Sequence, residues 1–331
     1  MRQERPGGER ENRVTVRAPA KLNLQLAVGP PRGDGYHHLV TVFHAVSLFD
    51  EITVEPAARD RVTVTGEGAD RVPAGRDNLA LRAVAALRAE VPGRAPGVRV
   101  AITKRIPVAA GLAGGSADAA AALVACNALW GSGLGQAQLV DVAAKVGSDV
   151  PFGLLGGTAV GRGRGERLTP ALAPATQYHW VLAFAEGQLS TPEVYAALDR
   201  LRAREARGDE QPPRHQGGPG GDRPPEATLD AGLMSALRSG DARLVGRTLS
   251  NDLQPAALSL CPALRKTLAA GLELGALGAL VSGSGPTCAF LAASAKRALD
   301  LAVSLSGAGV CRSVARVTGP VPGAVVVAPA R

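Results

Sequence analysis

Alternation of apolar and polar positions marks the first strands of this chain. Residues 14–28 alternate and are rich in Val and Leu, the period-two pattern of a strand. Residues 39–47, 51–55 and 61–65 read as further strands, after a turn cluster at 30–35. A helical period begins at Asp77, with Asp77 or Asn78 as cap, and runs to Glu90. Residues 98–103 return to strand. Helices follow over 116–130 and 136–146, then strands over 158–161 and 180–184. Past residue 227 come helical runs at 229–237, 242–250 and 262–272. A strand pair at 279–282 and 287–291, a helix at 294–305 capped by Ser294, and a strand at 310–317 complete the pattern. Strands precede helices in the first half and alternate with them later, which predicts an α+β fold with two lobes. The lobes are expected at 13–173 and 174–331, behind a disordered tail at 1–12.

Composition adds three constraints. A chain of 331 residues with 46% hydrophobic and only 3% aromatic positions must build its core from Ala, Val and Leu. Residues 202–227 hold Arg, Glu, Asp, Pro and Gly with almost nothing apolar, so they predict a disordered insertion. The net charge of +8 favours acidic partners such as nucleotides. There is no Lys/Arg stripe and no aromatic RNA-binding motif, so nucleic acid is not expected. Four separated cysteines form no CxxC and suit a reducing compartment. No apolar run reaches membrane-spanning length and the N-terminus is no secretory signal, so a cytoplasmic protein without membrane contact is expected.

The strongest chemical signal is the stretch Pro107–Asp118, Gly-rich, nearly free of bulky side chains, and opening into an alanine-rich helix. Such a loop brings backbone N–H groups close to a ligand, and the helix N-terminus adds partial positive charge. Together they make an anion cradle suited to a nucleotide phosphate. A plain turn with Ser116 as N-cap is the alternative. There is no GxxxxGK[ST], no protein-kinase motif set and no Rossmann fingerprint.

Other positions carry possible chemistry. Lys21 is one of five lysines and lies in an apolar strand, costly to bury without a partner. It is either an ammonium beside an acid or transferring phosphate, or a solvent-facing edge residue. Tyr36, His37 and His38 follow a Gly turn and display an aromatic face with a polar edge, or simply pack in a loop. Asp149 follows a helix and precedes Pro151, as a turn acid or a general base. The turn Val281–Thr287 either lines the same cleft or joins two strands.

In this order the motifs Ala18-Pro19-Ala20-Lys21-Leu22-Asn23-Leu24, Asp34-Gly35-Tyr36-His37, the Gly-rich loop and Gly147-Ser148-Asp149-Val150-Pro151-Phe152 resemble the GHMP superfamily of small-molecule kinases. The likeness spans residues 14–317 apart from the polar insertion, which is longer than usual there. It implies a two-lobed fold: an N-terminal lobe like ribosomal protein S5 domain 2, and a ferredoxin-like α/β C-terminal lobe. Within the superfamily it resembles the branch that uses ATP and Mg2+ to phosphorylate the 2-hydroxyl of a cytidine diphosphate-linked methylerythritol, in the non-mevalonate route to isoprenoid precursors. Homoserine and mevalonate kinases are the neighbouring alternatives.

By that resemblance Lys21 and Asp149 form the catalytic pair, Asp149 as base and Lys21 as the cation beside it. Asn23 orients the hydroxyl, Tyr36 and Tyr195 stack on cytosine, His37 reads its edge, and Thr191 touches the polyol side. Asn78 and Lys104 serve the adenine pocket. Pro107, Gly111, Leu112, Ala113, Gly114, Gly115 and Ser116 wrap the triphosphate, Ser116 also facing the metal. A monomer or weak homodimer is implied. Two departures concern the loop: Ala113 stands where many relatives have Gly, and Ala109-Ala110 where some have Gly-Gly. These cost little unless the position demands a positive φ.

Overall fold

The structure is a computed structural model that describes residues 13–33, 35–93, 95–207 and 226–327. The expected tail at 1–12 and most of the expected insertion, 208–225, lie outside the described residues.

The first lobe is built on two long antiparallel strands, β1 (Val14–Pro31) and β2 (His37–Pro56). The pattern suggests separate strands at 39–47 and 51–55, but β2 runs through both. Leu48, Phe49 and Asp50 stay paired or sheet-bound because β1 opposes them across a register shift near Pro19. β3 (Arg61–Gly66) is followed by α1 (Leu79–Glu90), capped by Asn78, whose Oδ1 accepts from Ala80 N–H at 2.9 Å. β4 (Val98–Lys104) leads through the Gly-rich loop into α2 (Gly114–Leu129). Then come α3 (Gln136–Val146), the short α4 (Val150–Leu155), β5 (Thr158–Gly163) and β6 (Arg167–Pro170).

The second lobe opens with β7 (Tyr178–Phe184) and α5 (Thr191–Arg207). α6 (Ala231–Ser239), α7 (Ala242–Arg247), β8 (Ser250–Asn251), α8 (Gln254–Leu260) and α9 (Ala263–Glu273) follow. β9 (Gly278–Val281), β10 (Cys288–Ala292), α10 (Ala295–Gly307), β11 (Ser313–Gly319) and β12 (Val325–Val326) complete the chain.

The polar stretch from residue 202 does not begin as an irregular insertion: residues 202–207 are the last turns of α5. Arg202 fixes them there, its guanidinium donating to Val28 O at 2.7 Å and Gly29 O at 3.2 Å. The expected boundary between lobes is also crossed. β8 pairs with β1, and after β11 the chain returns to the first lobe, where β12 pairs with β1 at Val16 and Arg17.

The two sheets have the orders β12-β1-β2-β4-β3, with β5, β6 and β8 attached, and β11-β7-β10-β9. Neither face of the second sheet is solvent-facing. Trp180 and Leu182 on β7 join the core of the first lobe, while the alternate residues Val181 and Ala183 pack with α5, α8, α9 and α10. The core is the Ala-, Val- and Leu-rich one the composition demands. In α2, Ala117, Ala119, Ala120, Ala121, Ala122 and Ala125 are all buried, and small side chains there let the helix lie close against β1 and β2.

His44 stands at the seam between the lobes, wholly buried among Tyr178 and Trp180. Its Nδ1 lies 2.8 Å from Thr158 Oγ1, and Nε2 has no side-chain partner. Burial pushes its pKa down to about 3.

Candidate active site

The Gly-rich loop forms as it does because the strand and helix it joins are both anchored from below. Asp50, at the end of β2's central run, accepts the N–H groups of Arg105 at 2.6 Å and Ile106 at 2.9 Å. Lys104 Nζ pairs with Asp50 and, at 2.7 Å, with Asp118 in the first turns of α2. Both loop ends are thus tied to one buried ammonium. Burial alone would push the Lys104 pKa down, but the two carboxylates outweigh it and raise it. Burial raises Asp118 to about 8 against the pull of Lys104. The sequence motifs do not include Asp50, and they reach Asp118 only as the last residue of the Gly-rich stretch, with no role of its own. A lone carboxylate inside an all-alanine buried helix run was the available signal for Asp118.

Above this anchor the loop adopts left-handed backbone at Ala109 (φ 54), Gly111 (φ 74) and Ala113 (φ 56). Two of the three departures, Ala109 and Ala113, therefore fall where φ is positive, and each costs about 1 kcal/mol of strain, while Ala110 does not. At Gly111 a Cβ would overlap Ser282 O of the second lobe. Helix α2 starts at Gly114, two residues earlier than the sequence pattern suggests, and Ala113 at its N-cap supplies no side-chain cap. Ser116 lies inside the first turn and is not a cap. The uncapped N–H groups and the helix dipole face the loop, an arrangement that attracts phosphate.

Lys21 and Asn23 project from the same face of β1, and Leu112 O, in the loop, accepts the backbone N–H of Lys21 at 3.2 Å. Lys21 Nζ donates to Asn23 Oδ1 at 2.6 Å and lies 4.0 Å from Asp149 Oδ2. Asn23 is fixed in turn, donating from Nδ2 to Thr41 Oγ1 at 2.8 Å. Asp149 occupies the N-cap position of α4, a short helix that the sequence pattern does not mark, yet its carboxylate caps nothing. It is left free to face the cleft. Burial lowers the Lys21 pKa and Asp149 partly restores it. An ammonium has three N–H donors; of the contacts described, Asn23 takes one and Asp149, at 4.0 Å, lies beyond hydrogen-bond range, which leaves two for a ligand.

The turn Val281–Thr287 does reach this point. Asn251 Nδ2 donates to Val281 O and Gly283 O, both at 2.7 Å. That holds Gly283 so close that a Cβ would come 3.2 Å from Lys21 Nζ and 3.3 Å from Asn23 Oδ1.

One cavity of about 1050 Å3 joins these groups. Asn78, Lys104, Pro107 and the loop residues Gly111, Ala113, Gly114 and Gly115 line it. Lys21, Asn23 and Asp149 line it too, as do Tyr36, His37, Thr191 and Tyr195. Leu112 and Ser116 are not among the lining residues, and the Leu112 side chain is sunk in the core. Asn78 spends its side chain on the α1 cap and on Pro73 O, at 2.8 Å. Thr191 Oγ1 sits 2.9 Å from Ser284 Oγ.

Of the aromatic lining residues, Tyr36 is 55% exposed with the Arg164 guanidinium 5.2 Å from its ring centre. His37 is buried, its ring centre 5.0 Å from that of Tyr195 at 34°. The Tyr195 phenol is pushed up by burial, with the Asp149 charge adding to it. Among the described residues no cluster of three or more His, Cys, Asp or Glu could hold a metal, and no helix is long and apolar enough to cross a membrane.

Residues 78–157 match the GHMP kinases N terminal domain and residues 233–311 the GHMP kinases C terminal domain. The chain belongs to the GHMP kinase family, and it is a small-molecule kinase. Its similarity is more particular than that. A 4-diphosphocytidyl-2-C-methyl-D-erythritol kinase of Mycolicibacterium gilvum is 57% identical over 95% of this chain and 92% of its own. One of Thermobifida fusca is 54% identical over 95% and 98%. A crystal structure of 4-(cytidine 5'-diphospho)-2C-methyl-D-erythritol kinase shares 34% identity and a TM-score of 0.70, covering 92% of this chain and 98% of that one. The homoserine kinase of Cytophaga hutchinsonii has a TM-score of 0.71 at 21% identity, covering 98% and 100%, a likeness of fold alone.

Proposed function

We propose that the protein transfers the γ-phosphoryl group of ATP to the 2-hydroxyl of 4-diphosphocytidyl-2-C-methyl-D-erythritol, a step of the non-mevalonate route to isoprenoid precursors. The observation that supports this reading is that the Lys21–Asp149 pair, 4.0 Å apart, lines the same cavity as the Gly-rich loop and as Tyr36, His37 and Tyr195.

ATP places its triphosphate along the loop, against the backbone N–H groups at the start of α2. The cytidine end of the acceptor lies by Tyr36, His37 and Tyr195, which brings the polyol toward Thr191, Asn23 and Asp149. Asp149 accepts the proton of the 2-hydroxyl as that oxygen attacks the γ-phosphorus and the bond to the β-phosphate oxygen breaks. Lys21, 4.0 Å from Asp149, offsets charge on the phosphoryl group in flight. The base contributes ~10²–10⁴ in rate, and positioning and charge supply the rest.

Mg2+ suits this site as a companion of ATP. Asp118 Oδ1 has no partner, and Ser116 lies in the same first turns of α2. Of the two, Asp118 lines the cavity and would offer that oxygen to a cation carried mainly by phosphates and water, whereas Ser116 does not line it. When bound, the ion neutralises triphosphate charge.

The test is direct. With ATP and Mg2+, the purified protein is expected to release ADP in the presence of the cytidyl substrate and not with homoserine or mevalonate. Equal or faster turnover of homoserine would replace this reading with that of another GHMP kinase.

A further inference from the structure

The sequence motifs do not include Asp199, yet its carboxylate hydrogen-bonds the His37 ring. His37 Nε2 lies 3.0 Å from Asp199 Oδ1. The His37 side chain is 5% exposed and that of Asp199 39% exposed. Asp199 sits one helical turn after Tyr195 on α5, so the ring and the carboxylate share a face. Tyr195 covers the imidazole while Asp199 takes its Nε2 edge. All three residues line the cavity.

An ionised carboxylate can only accept hydrogen bonds, so this contact places a proton on Nε2. In the neutral imidazole Nδ1 then holds a lone pair. We propose that Asp199 is a positioning residue that determines base specificity: by fixing His37 as an Nδ1 acceptor, it matches the 4-amino donor of cytosine and opposes the 4-carbonyl of uracil. The inference rests on the reading of Tyr36, His37 and Tyr195 as the base pocket. A site built around a substrate N–H rejects the analogue that lacks it, because two acceptors are left facing each other. Without the carboxylate the proton is free to move to Nδ1, and the ring then accommodates uracil as a donor.

The experiment compares kcat/KM for 4-diphosphocytidyl-2-C-methyl-D-erythritol and for its uridine counterpart in the wild type, Asp199→Ala and Asp199→Asn. Asp199→Ala is expected to lower the cytidine-to-uridine ratio about tenfold or more, the equivalent of one hydrogen bond. KM for ATP should stay put. Asp199→Asn, whose Oδ1 still accepts from Nε2, should restore part of the ratio. Nitrogen-15 spectra of labelled protein should show His37 as the Nε2–H form in the wild type and as a mixture in Asp199→Ala.

An unchanged ratio in Asp199→Ala, or an Nδ1–H ring in the wild type, overturns the proposal. Tyr36→Ala, run alongside, separates this from failure of the base pocket itself. If Tyr36→Ala raises KM for the cytidyl substrate while Asp199→Ala leaves the ratio alone, only the role of Asp199 falls. If Tyr36→Ala leaves that KM unmoved, the pocket assignment falls and the proposal with it.

Discussion

Lys21 Nζ and Asp149 Oδ2 stand 4.0 Å apart, one on the first strand and the other at the mouth of a short helix that follows α3. The distance is long for a tight ion pair, and the Lys21 side chain is 9% exposed against 30% for Asp149. The pair is held loosely enough for a substrate oxygen to enter, while Asn23 keeps the ammonium in place at 2.6 Å.

Replacing the base tests that arrangement. Asp149→Asn is expected to bind ATP with nearly wild-type affinity by calorimetry, while kcat falls by ~10²–10⁴. The fold should tolerate it, since the carboxylate caps no helix. A kcat within a few-fold of wild type would route the proton elsewhere.

The left-handed alanine at the head of α2 makes a second prediction. Ala113→Gly removes the strain of φ 56 at the cost of a freer unfolded chain, two effects of about 1 kcal/mol and opposite sign, so Tm should shift little. Ala113→Val places a β-branched residue in the same conformation and is expected to lower Tm and raise KM for ATP. Equal Tm for the two variants would show that the loop relaxes away from this geometry.

Tyr36 offers a cleaner binding test than Tyr195 because it is exposed. Tyr36→Ala should leave Tm nearly unchanged yet raise KM for the cytidyl substrate far more than for ATP. Truncating the mostly buried Tyr195 loses core contacts as well, and its KM effect comes with a fall in Tm. Equal rises in both KM values for Tyr36→Ala would contradict a base-stacking role.

His44 predicts an acid limb in stability. Its pKa is near 3 in the folded protein and near 6.5 in the unfolded chain, so below pH 6.5 the unfolded state binds the extra proton. Its contribution is present above pH 6.5 and is lost as pH falls toward 3. His44→Phe removes the titration, and urea melts from pH 7 to 4 should show the variant gaining on the wild type as pH drops. Parallel curves would mean that His44 is not the group responsible.

Much of the fold was legible because period-two and helical patterns were strong. Strand β1, helices α1 and α3, and the Ser294 cap of α10 lie where alternation and capping residues put them. Less legible were elements whose apolar residues face two neighbours at once. The α5 segment reads as polar, and its mean hydropathy gives no hint of a long helix, because only Val194, Ala197 and Leu198 are buried. Its last turns, where composition alone predicts an insertion, are fixed by Arg202 on β1 backbone carbonyls, a contact made by residues distant in the chain.

The cleft followed the same division. Read singly, Lys21, Tyr36, His37 and Asp149 each keep a structural alternative, and only the glycine loop points to phosphate; it is the resemblance of these motifs, in this order, to the GHMP kinases that implies phosphoryl transfer. Only the tertiary structure decided which groups meet. It set Lys104 between Asp50 and Asp118 as the anchor of the loop, placed Ala109 and Ala113 in left-handed backbone, and turned Asp199 onto His37. Local sequence dictates an element's periodicity, but a buried charge or a ring's protonation is fixed by whichever distant partner removes water from it, and that is settled when the chain closes.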